Sequence, residues 1–151
     1  MYHNLSEYLN KYNISMLLSD TEGYVLKSYT LPFLQNSWAG TEGYRLAAEE
    51  TGTSSMSIAL TNKIPFLLFG PETWLTDFHS EDSCSAPIIL DEDVACVITM
   101  IYSEQQELPY SAPYSLLLSI KYSLEEHLQT QTSIKVMHTI LDTLQMAIYQ
   151  L

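Results

Sequence analysis

The chain has 151 residues and a mass of 17.2 kDa, the size of one compact domain. Hydrophobic residues make up 46% of it, enough for a buried core, which excludes an intrinsically disordered chain. Six basic residues against 18 acidic ones give a net charge of -12, which would repel nucleic acid and anionic lipid, so we expect no direct binding to either.

The first part of the chain is typical of a helix followed by a β-hairpin. Residues 2–11 place apolar side chains on one side at helical spacing, and the apolar run Ile14–Ser19 has the length of a strand. Asp20–Gly23 ends in a glycine, which takes the positive φ of a tight turn, and Tyr24–Tyr29 follows as the returning strand. We therefore predict a first antiparallel hairpin.

A long connection separates this hairpin from the next regular elements. Thr30–Thr53 holds three of the five glycines and has little periodicity, with one helical turn near Leu46–Glu50. Long connections of this kind often border binding sites. Helical spacing resumes over Ser54–Lys63, and Ile64–Phe69 then has the pattern of a buried strand.

The second half of the chain is typical of another hairpin followed by a helix. The apolar stretches Ser83–Leu90 and Val94–Tyr102 flank the charged turn Asp91–Asp93. Helical spacing then resumes with Pro113 in the first turn, and its apolar stripe consists of Leu117, Ile120, Leu124 and Leu128. Because hairpins pair antiparallel, we expect an α+β fold with the helices on one face of the sheet.

The last helical pattern has the spacing of a coiled-coil seam. Its apolar residues are separated by alternating steps of three and four: Ile134, Met137, Leu141, Leu144, Ile148 and Leu151. The seam predicts dimerisation through these residues, and packing of the helix on its own sheet is an equally good interpretation. An apolar stripe that runs to the last residue would face water, so we expect the helix to continue into a further domain.

The sequence carries no familiar catalytic pattern. It contains no nucleophile elbow, phosphate-binding loop or zinc-binding H-E-x-x-H motif, so we expect neither an enzyme nor a cofactor. The polar run Asp77–Asp82 offers His79, Glu81 and Asp82 to a divalent ion. An acidic surface loop is the better interpretation of that run, and we predict no metal site.

Cys84 and Cys96 are the two cysteines of the chain, too few for a disulfide framework, which predicts a reducing, cytoplasmic environment. They lie on the two strands of the second predicted hairpin, so a redox pair is one interpretation. No lysine or arginine occurs between Lys63 and Lys121 to lower a thiol pKa, which favours two inert, buried thiols. The chain also contains no apolar run of membrane-spanning length and begins without a signal-peptide pattern.

Aromatic residues give the strongest indication of a binding site. Some lie in the long connection and others flank the strand that follows it. A concave apolar pocket with a few polar groups is the general form of a small-molecule site, and filling the core is an equally good role for such residues. The residues that we predict to contact a ligand are Trp38, Tyr44, Phe69, Trp74, Phe78, His79 and Cys84.

Three segments resemble a known regulatory family. They are Gly52–Thr53 before a helix that ends in Ala59–Leu60, Pro65 with Gly70 and Glu72, and Cys84–Ser85–Ala86 before Pro87–Ile88. In this order they resemble the sensory GAF domain of sigma-54-dependent transcriptional activators of the acetoin-catabolism and dihydroxyacetone-regulator type. The resemblance implies an antiparallel sheet of about five or six strands, with the N- and C-terminal helices on one face and a pocket on the other.

The same resemblance implies an organisation and a function. Residues 1–130 would form the GAF-like domain, and residues 131–151 an outgoing linker helix that enters a PAS-type module. The expected function is to sense a small-molecule effector within a homodimer and to relay its binding through the terminal helix. The alternatives are a protein-interaction module, whose acidic run from Glu72 to Glu107 would suit a basic partner, and a methionine sulfoxide reductase of the same fold.

Overall fold

The computed structural model describes residues 5–29, 42–72, 81–103, 111–129 and 133–148. Its centre is a five-stranded antiparallel sheet in the order β2-β1-β5-β4-β3. The strands are β1 (Ser15–Ser19), β2 (Val25–Tyr29), β3 (Phe66–Leu68), β4 (Glu81–Leu90) and β5 (Asp93–Ser103). The helices are α1 (Leu5–Lys11), α2 (Ala48–Thr51), α3 (Ser55–Asn62), α4 (Ser111–Leu128) and α5 (Ser133–Ile148). The predicted α+β class with a central antiparallel sheet is confirmed.

The turn of the first hairpin depends on Gly23 and Asp20. Gly23 has φ +92°, and a Cβ added there would lie 2.9 Å from the backbone nitrogen of Ala47. The Asp20 carboxylate accepts hydrogen bonds from the backbone N–H groups of Glu22 and Tyr24, each at 2.9 Å. Glycine is therefore required here both by the backbone angle and by the close approach of Ala47.

Residues 42–46 run along the outer edge of β2. The backbone N–H of Val25 donates to the Tyr44 carbonyl at 2.8 Å, and the Gly43 N–H donates to the Val25 carbonyl at 2.7 Å. A third bond joins the Leu46 N–H to the Gly23 carbonyl at 2.7 Å. These bonds occupy backbone groups that an edge strand would otherwise leave open.

The β4–β5 hairpin is the longest strand pair, with a register irregularity between Ile88 and Ile89. Its two turn residues, Asp91 and Glu92, have φ 51° and φ 70°. Two consecutive left-handed residues are characteristic of a two-residue type I′ turn. The hairpin is where the sequence predicts it, and Asp93, assigned there to the turn, begins β5.

The two faces of the sheet carry different cores. One face, which we call the helix face, packs against α1, α4 and α5 through Met16, Leu18, Cys84, Ala86, Ile88, Cys96, Ile98, Met100 and Tyr102. The opposite face, which we call the α3 face, carries a smaller core formed by Leu17, Val25, Leu46, Met56, Ala59 and Val97. The larger core therefore holds the sheet to the terminal helices, and the smaller one holds α3 in place.

The last helix belongs to the chain's own core, although the sequence suggests that it leads away as a linker. The α5 residues buried together with residues of α1 and α4 are Val136, Ile140, Leu144 and Ile148. Neither α5 nor any other helix in the described ranges is long and apolar enough to cross a membrane. The continuation of α5 into a further module stays a prediction.

The predicted dimer seam divides between this core and its rim. Leu144 and Ile148 are buried within the chain, and Met137 and Leu141 are half-buried beside them. The other two predicted contacts, the Ile134 side chain and Leu151, lie outside the described residues. Packing within the chain, the alternative interpretation of the heptad, accounts for the buried pair, and dimerisation through the seam stays a prediction.

Candidate functional site

The α3 face of the sheet carries hydroxyl groups between its apolar residues. Because side chains alternate along a strand, every second residue of β1, β4 and β5 points to this face. All buried serine and threonine residues of the described strands lie there. We use the name hydroxyl patch for Ser15, Ser55, Ser83, Ser85 and Thr99.

Four of these hydroxyls form a hydrogen-bonded chain that joins β5, β4 and α3. Thr99 Oγ1 lies 2.7 Å from Ser85 Oγ, which lies 2.9 Å from Ser55 Oγ. Ser55 Oγ lies 2.8 Å from Ser83 Oγ, the half-buried end of the chain. Four hydroxyls supply four donors and the three bonds use three of them, so one donor and several acceptor positions remain unused within the described part of the chain.

The start of α3 is held in place by its own cap. Ser54 Oγ accepts a hydrogen bond from the Ser57 N–H at 3.1 Å, and Ser57 Oγ accepts one from the Ser54 N–H at 2.9 Å. This reciprocal pair is a capping box, which satisfies donors that a helix start leaves open. Ser55, the first residue of α3, is thereby fixed against β4.

Two hydroxyls on β1 have no hydrogen-bond partner within the described part of the chain. The Oγ atoms of Ser15 and Ser19 are buried and unpaired. Ser15 lies opposite Ile101, and Ile101 lies opposite Ser83, which places Ser15 and Ser83 about 10 Å apart across the sheet. An unpaired buried hydroxyl costs about 1–3 kcal/mol, so a bound polar molecule at this face would recover that free energy.

Glu81 adds a carboxyl group beside the hydroxyl patch. It lies on β4 two residues before Ser83, hence on the same face and about 7 Å along the strand. Its side chain is half-buried, and burial raises the pKa of the carboxyl group above its ordinary value. In the described ranges no basic side chain forms an ion pair with it. The patch and Glu81 together place hydroxyl and carboxyl groups on one face of the sheet.

The aromatic residues predicted to line a pocket do not meet in one place where they are described. Tyr44 lies at the β2 edge of the sheet and Phe69 directly after β3, at the opposite edge, and both are exposed. Cys84 is buried on the helix face, away from the hydroxyl patch. The other predicted contacts, Trp38, Trp74, Phe78 and His79, lie outside the described residues, and their role stays a prediction.

The two thiols have the environment of inert core residues. Both are free and fully buried, and burial raises the pKa of Cys84 and of Cys96 to about 12. Cys84 lies opposite Met100 and Cys96 opposite Ile88, so the two thiols are about 13 Å apart along the hairpin. This separation rules out the interpretation of a redox pair in the folded chain.

A metal site, the other interpretation of the polar run Asp77–Asp82, also finds no support among the described residues. Asp82 Oδ1 accepts a hydrogen bond from the buried Gly70 N–H at 2.9 Å, which gives this carboxylate a structural role. Within the described ranges, no three histidine, cysteine, aspartate or glutamate residues are grouped to hold an ion. Asp77 and His79 of the same polar run lie outside those ranges.

No protein-family model and no curated protein matches the sequence. Solved structures do match the fold: a chain of the E. coli DhaR(N)–DhaL complex has a TM-score of 0.74 and 18% identity, covering 94% of this chain and 49% of that chain. The chain has a GAF-like fold. A GAF domain/HD domain protein from Geobacter sulfurreducens has a TM-score of 0.51 and 16% identity, covering 84% of this chain and 91% of its own.

A third structure, the A. aeolicus nlh2 GAF domain, has a TM-score of 0.48 and 14% identity, covering 80% of this chain and 76% of its own. The chain spans about half the length of the matched chain in the DhaR(N)–DhaL complex. At these identities the likeness concerns the fold. In this GAF-like fold the terminal helices cover one face of the sheet, and the hydroxyl patch lies on the other.

Proposed function

We propose that the chain is a sensory regulatory domain that binds a small-molecule effector at the hydroxyl patch. The observation that carries the proposal is the buried, unpaired hydroxyl of Ser15 beside the hydrogen-bonded hydroxyls of the patch, on the sheet face opposite the terminal helices. The GAF-like fold and the resemblance to sensory GAF domains support it. In its fuller form the proposal is a cytoplasmic, homodimeric part of a bacterial sigma-54-dependent transcriptional activator, without direct contact to nucleic acid or membrane.

The arrangement of β4 offers a route from the effector to the terminal helices. Ser83 and Ser85 of β4 belong to the hydroxyl patch on one face of the sheet. The alternate residues Cys84 and Ala86 point to the other face, into the core under α4. A displacement of β4 on one face is therefore transmitted to packed side chains on the other. The effector must bind one arrangement of the two faces more tightly than the other to act in this way.

The proposed role is not catalytic. The methionine sulfoxide reductase alternative needs a reactive thiolate, and both thiols are buried with a pKa of about 12. Assays for sulfoxide reduction should therefore find no turnover. Replacement of Cys84 or Cys96 by serine should likewise cause no loss of such an activity.

Ser15→Ala and Thr99→Val test the proposed site directly. Ser15→Ala removes an unpaired buried hydroxyl, so the unliganded chain should become more stable while effector binding becomes about five- to tenfold weaker. Thr99→Val should weaken binding by a similar factor. Thr61→Val, at an exposed position on α3, is the matched control and should change neither quantity.

The measurements are a thermal-shift screen against small polar metabolites and calorimetric titration with the best compound. Absence of stabilisation by every compound would contradict ligand sensing. A structural role for Ser15 would instead appear as a loss of stability in Ser15→Ala without any change in affinity.

A protein-interaction module is the second candidate. The similar chain from E. coli was solved in a DhaR(N)–DhaL complex, and the exposed tip Asp91–Asp93 of this chain offers negative charge to a basic partner. Charge reversal at Asp91 and Asp93 should abolish capture of such a partner, and should leave effector binding at the hydroxyl patch unchanged.

A further inference from the structure

We infer that the effector is a small organic cation, an aliphatic amine or amino alcohol whose ammonium group pairs with Glu81 beside the hydroxyl patch. This inference rests on the proposed function and adds the charge class of the ligand. Three observations on the chain support it: the distribution of its basic residues, the environment of Glu81, and the balance of donors and acceptors at the patch.

The basic side chains that the structure describes are engaged away from the hydroxyl patch. The whole sequence contains only six: Lys11, Lys27, Arg45, Lys63, Lys121 and Lys135. The exposed ion pairs are Lys27 with Glu42 at 3.7 Å, Arg45 with Glu49 at 3.7 Å, and Lys63 with Asp93 at 3.9 Å.

The remaining three basic residues lie on terminal helices. Lys121 is buried on α4, where it pairs with Glu125, and Lys11 lies on α1 over the Tyr12 ring at 5.2 Å. Lys135 is on α5, which packs with α1 and α4 over the helix face. A carboxylate or phosphate bound at the opposite face would therefore find no lysine or arginine, and a buried, unpaired anion is strongly unfavourable.

Glu81 is a half-buried carboxyl group with no opposite charge beside it in the described part of the chain. Its side chain has no ion-pair partner in the described ranges, and the 57 residues between Lys63 and Lys121 include no lysine or arginine. A ligand ammonium would supply that charge and form charge-assisted hydrogen bonds, which are roughly twice as strong as neutral ones.

The balance of hydrogen-bonding groups also favours a ligand rich in donors. Among the described residues, the four-hydroxyl chain that ends at Ser83 has one unused donor, against several unused lone pairs. The Glu81 carboxylate adds acceptors alone. An ammonium group offers three donors and no acceptor, so it complements these groups better than a carbonyl or carboxylate does.

Three compounds of similar size and different charge test the inference: aminopropanediol as the cation, glycerol as the neutral molecule and glycerate as the anion. We expect aminopropanediol to bind about tenfold more tightly than glycerol, and glycerate to bind more weakly than both. In Glu81→Gln, which keeps the shape of the side chain, the preference for the cation should disappear. Glu126→Gln, at an exposed position on α4, is the control and should retain it.

Equal or tighter binding of glycerate would overturn the inference, and so would a cation preference that survives Glu81→Gln. The same comparison across a library of aliphatic amines, uncharged polyols and amides, and carboxylates and phosphates separates the two proposals. Hits confined to uncharged or anionic compounds would overturn the inference and leave the proposed function intact. A library without any hit would contradict the proposed function, and the inference with it.

Discussion

At the tip of the β4–β5 hairpin, Asp91 and Glu92 both hold left-handed backbone, with φ 51° and 70°. A side chain with a Cβ pays about 1–2 kcal/mol for that conformation, whereas glycine adopts it freely. Glu92→Gly should therefore increase the free energy of unfolding by about 1 kcal/mol, measured by urea denaturation.

Glu92→Ala is the control for this substitution, because it removes the same charge and keeps the Cβ. It should give little or no gain. An equal gain in both variants would mean that relief of charge repulsion at the acidic tip, rather than backbone strain, controls the stability of the turn.

The buried thiols predict an alkaline loss of stability. Burial raises the pKa of both from 9.0 to about 12 in the folded chain. Below pH 9 the thiols are protonated in both states, and above it the unfolded chain releases their protons while the folded chain retains them. The free energy of unfolding should therefore fall as the pH rises from 9 towards 12.

The double variant Cys84→Ala, Cys96→Ala checks this origin. Its stability should fall less steeply over the same pH range, by about 1 kcal/mol per pH unit for each thiol removed. Tyr102, Tyr8 and Tyr114, whose pKa values are also raised by burial, would contribute to the remaining slope. If the free energy of unfolding falls equally steeply with pH in the unsubstituted chain and in the double variant, the thiols do not contribute to the alkaline loss.

Among the secondary-structure elements, α4 is tied to β4 by a buried lysine. β3 pairs with β4 only over Ser83–Ser85, so no other strand of the described ranges pairs with this edge of β4 from Ala86 onward. Pro87 lies on that edge, where its missing N–H breaks no ladder bond, and its carbonyl accepts a hydrogen bond from Lys121 Nζ. Lys121 also pairs with Glu125 one turn along α4, and both side chains are largely buried.

Removal of this lysine should destabilise the chain through the buried charge that it leaves behind. Lys121→Ala should lower the free energy of unfolding by about 3–5 kcal/mol. Lys121→Met combined with Glu125→Gln should restore most of that loss, because no unpaired charge remains. Lys63→Ala is the control: its side chain is 54% exposed, so its pair with Asp93 contributes less than about 0.5 kcal/mol. A similar loss of stability in Lys121→Ala and Lys63→Ala would contradict the role of Lys121 in holding α4 to β4.

The strands and hairpins could be predicted from the sequence because local residues mark their ends. The predicted strand Ile14–Ser19 exceeds β1 by one residue, and Gly23 marks the first turn. The predicted strand Ile64–Phe69 is longer than β3, because ladder pairing with β4 covers only Phe66–Leu68. Turn residues and apolar runs are local properties of the sequence, so they can be recognised without knowledge of the fold.

The hydroxyl patch could not be predicted because its residues meet only through strand register. Ser15, Ser83 and Thr99 come from three strands, and an error of one residue in the pairing would send them to the other face. The available signal was the alternation of serines with apolar residues in β1 and around Cys84. Aromatic residues drew attention by size, but size does not reveal that Tyr44 and Phe69 lie at opposite edges of the sheet.

At the scale of the whole molecule, the heptad pattern of α5 is explained in part by packing of this helix in the chain's own core. Leu144 is fully buried within the single chain, so Leu144→Ala should lower the free energy of unfolding by about 2–4 kcal/mol at any protein concentration. Met146→Ala, at a 71% exposed position of the same helix, should change it by less than about 0.5 kcal/mol.

Denaturation at two protein concentrations, with sedimentation analysis, separates this role from a dimer contact. If Leu144 belonged chiefly to a dimer seam, its substitution would weaken self-association and leave the stability of the dissociated chain unchanged. That outcome would require α5 to leave the core shown by the structure.

The claim on which the functional account depends is that the effector binds the α3 face rather than the helix face. Chemical-shift mapping of the isotope-labelled chain, with the best compound from the thermal-shift screen, tests it most directly. The account predicts the largest shift changes at Ser15, Ser83 and Thr99, with smaller changes relayed to α4. Changes confined to the helix face around Cys84, or to the acidic tip at Asp91, would contradict it.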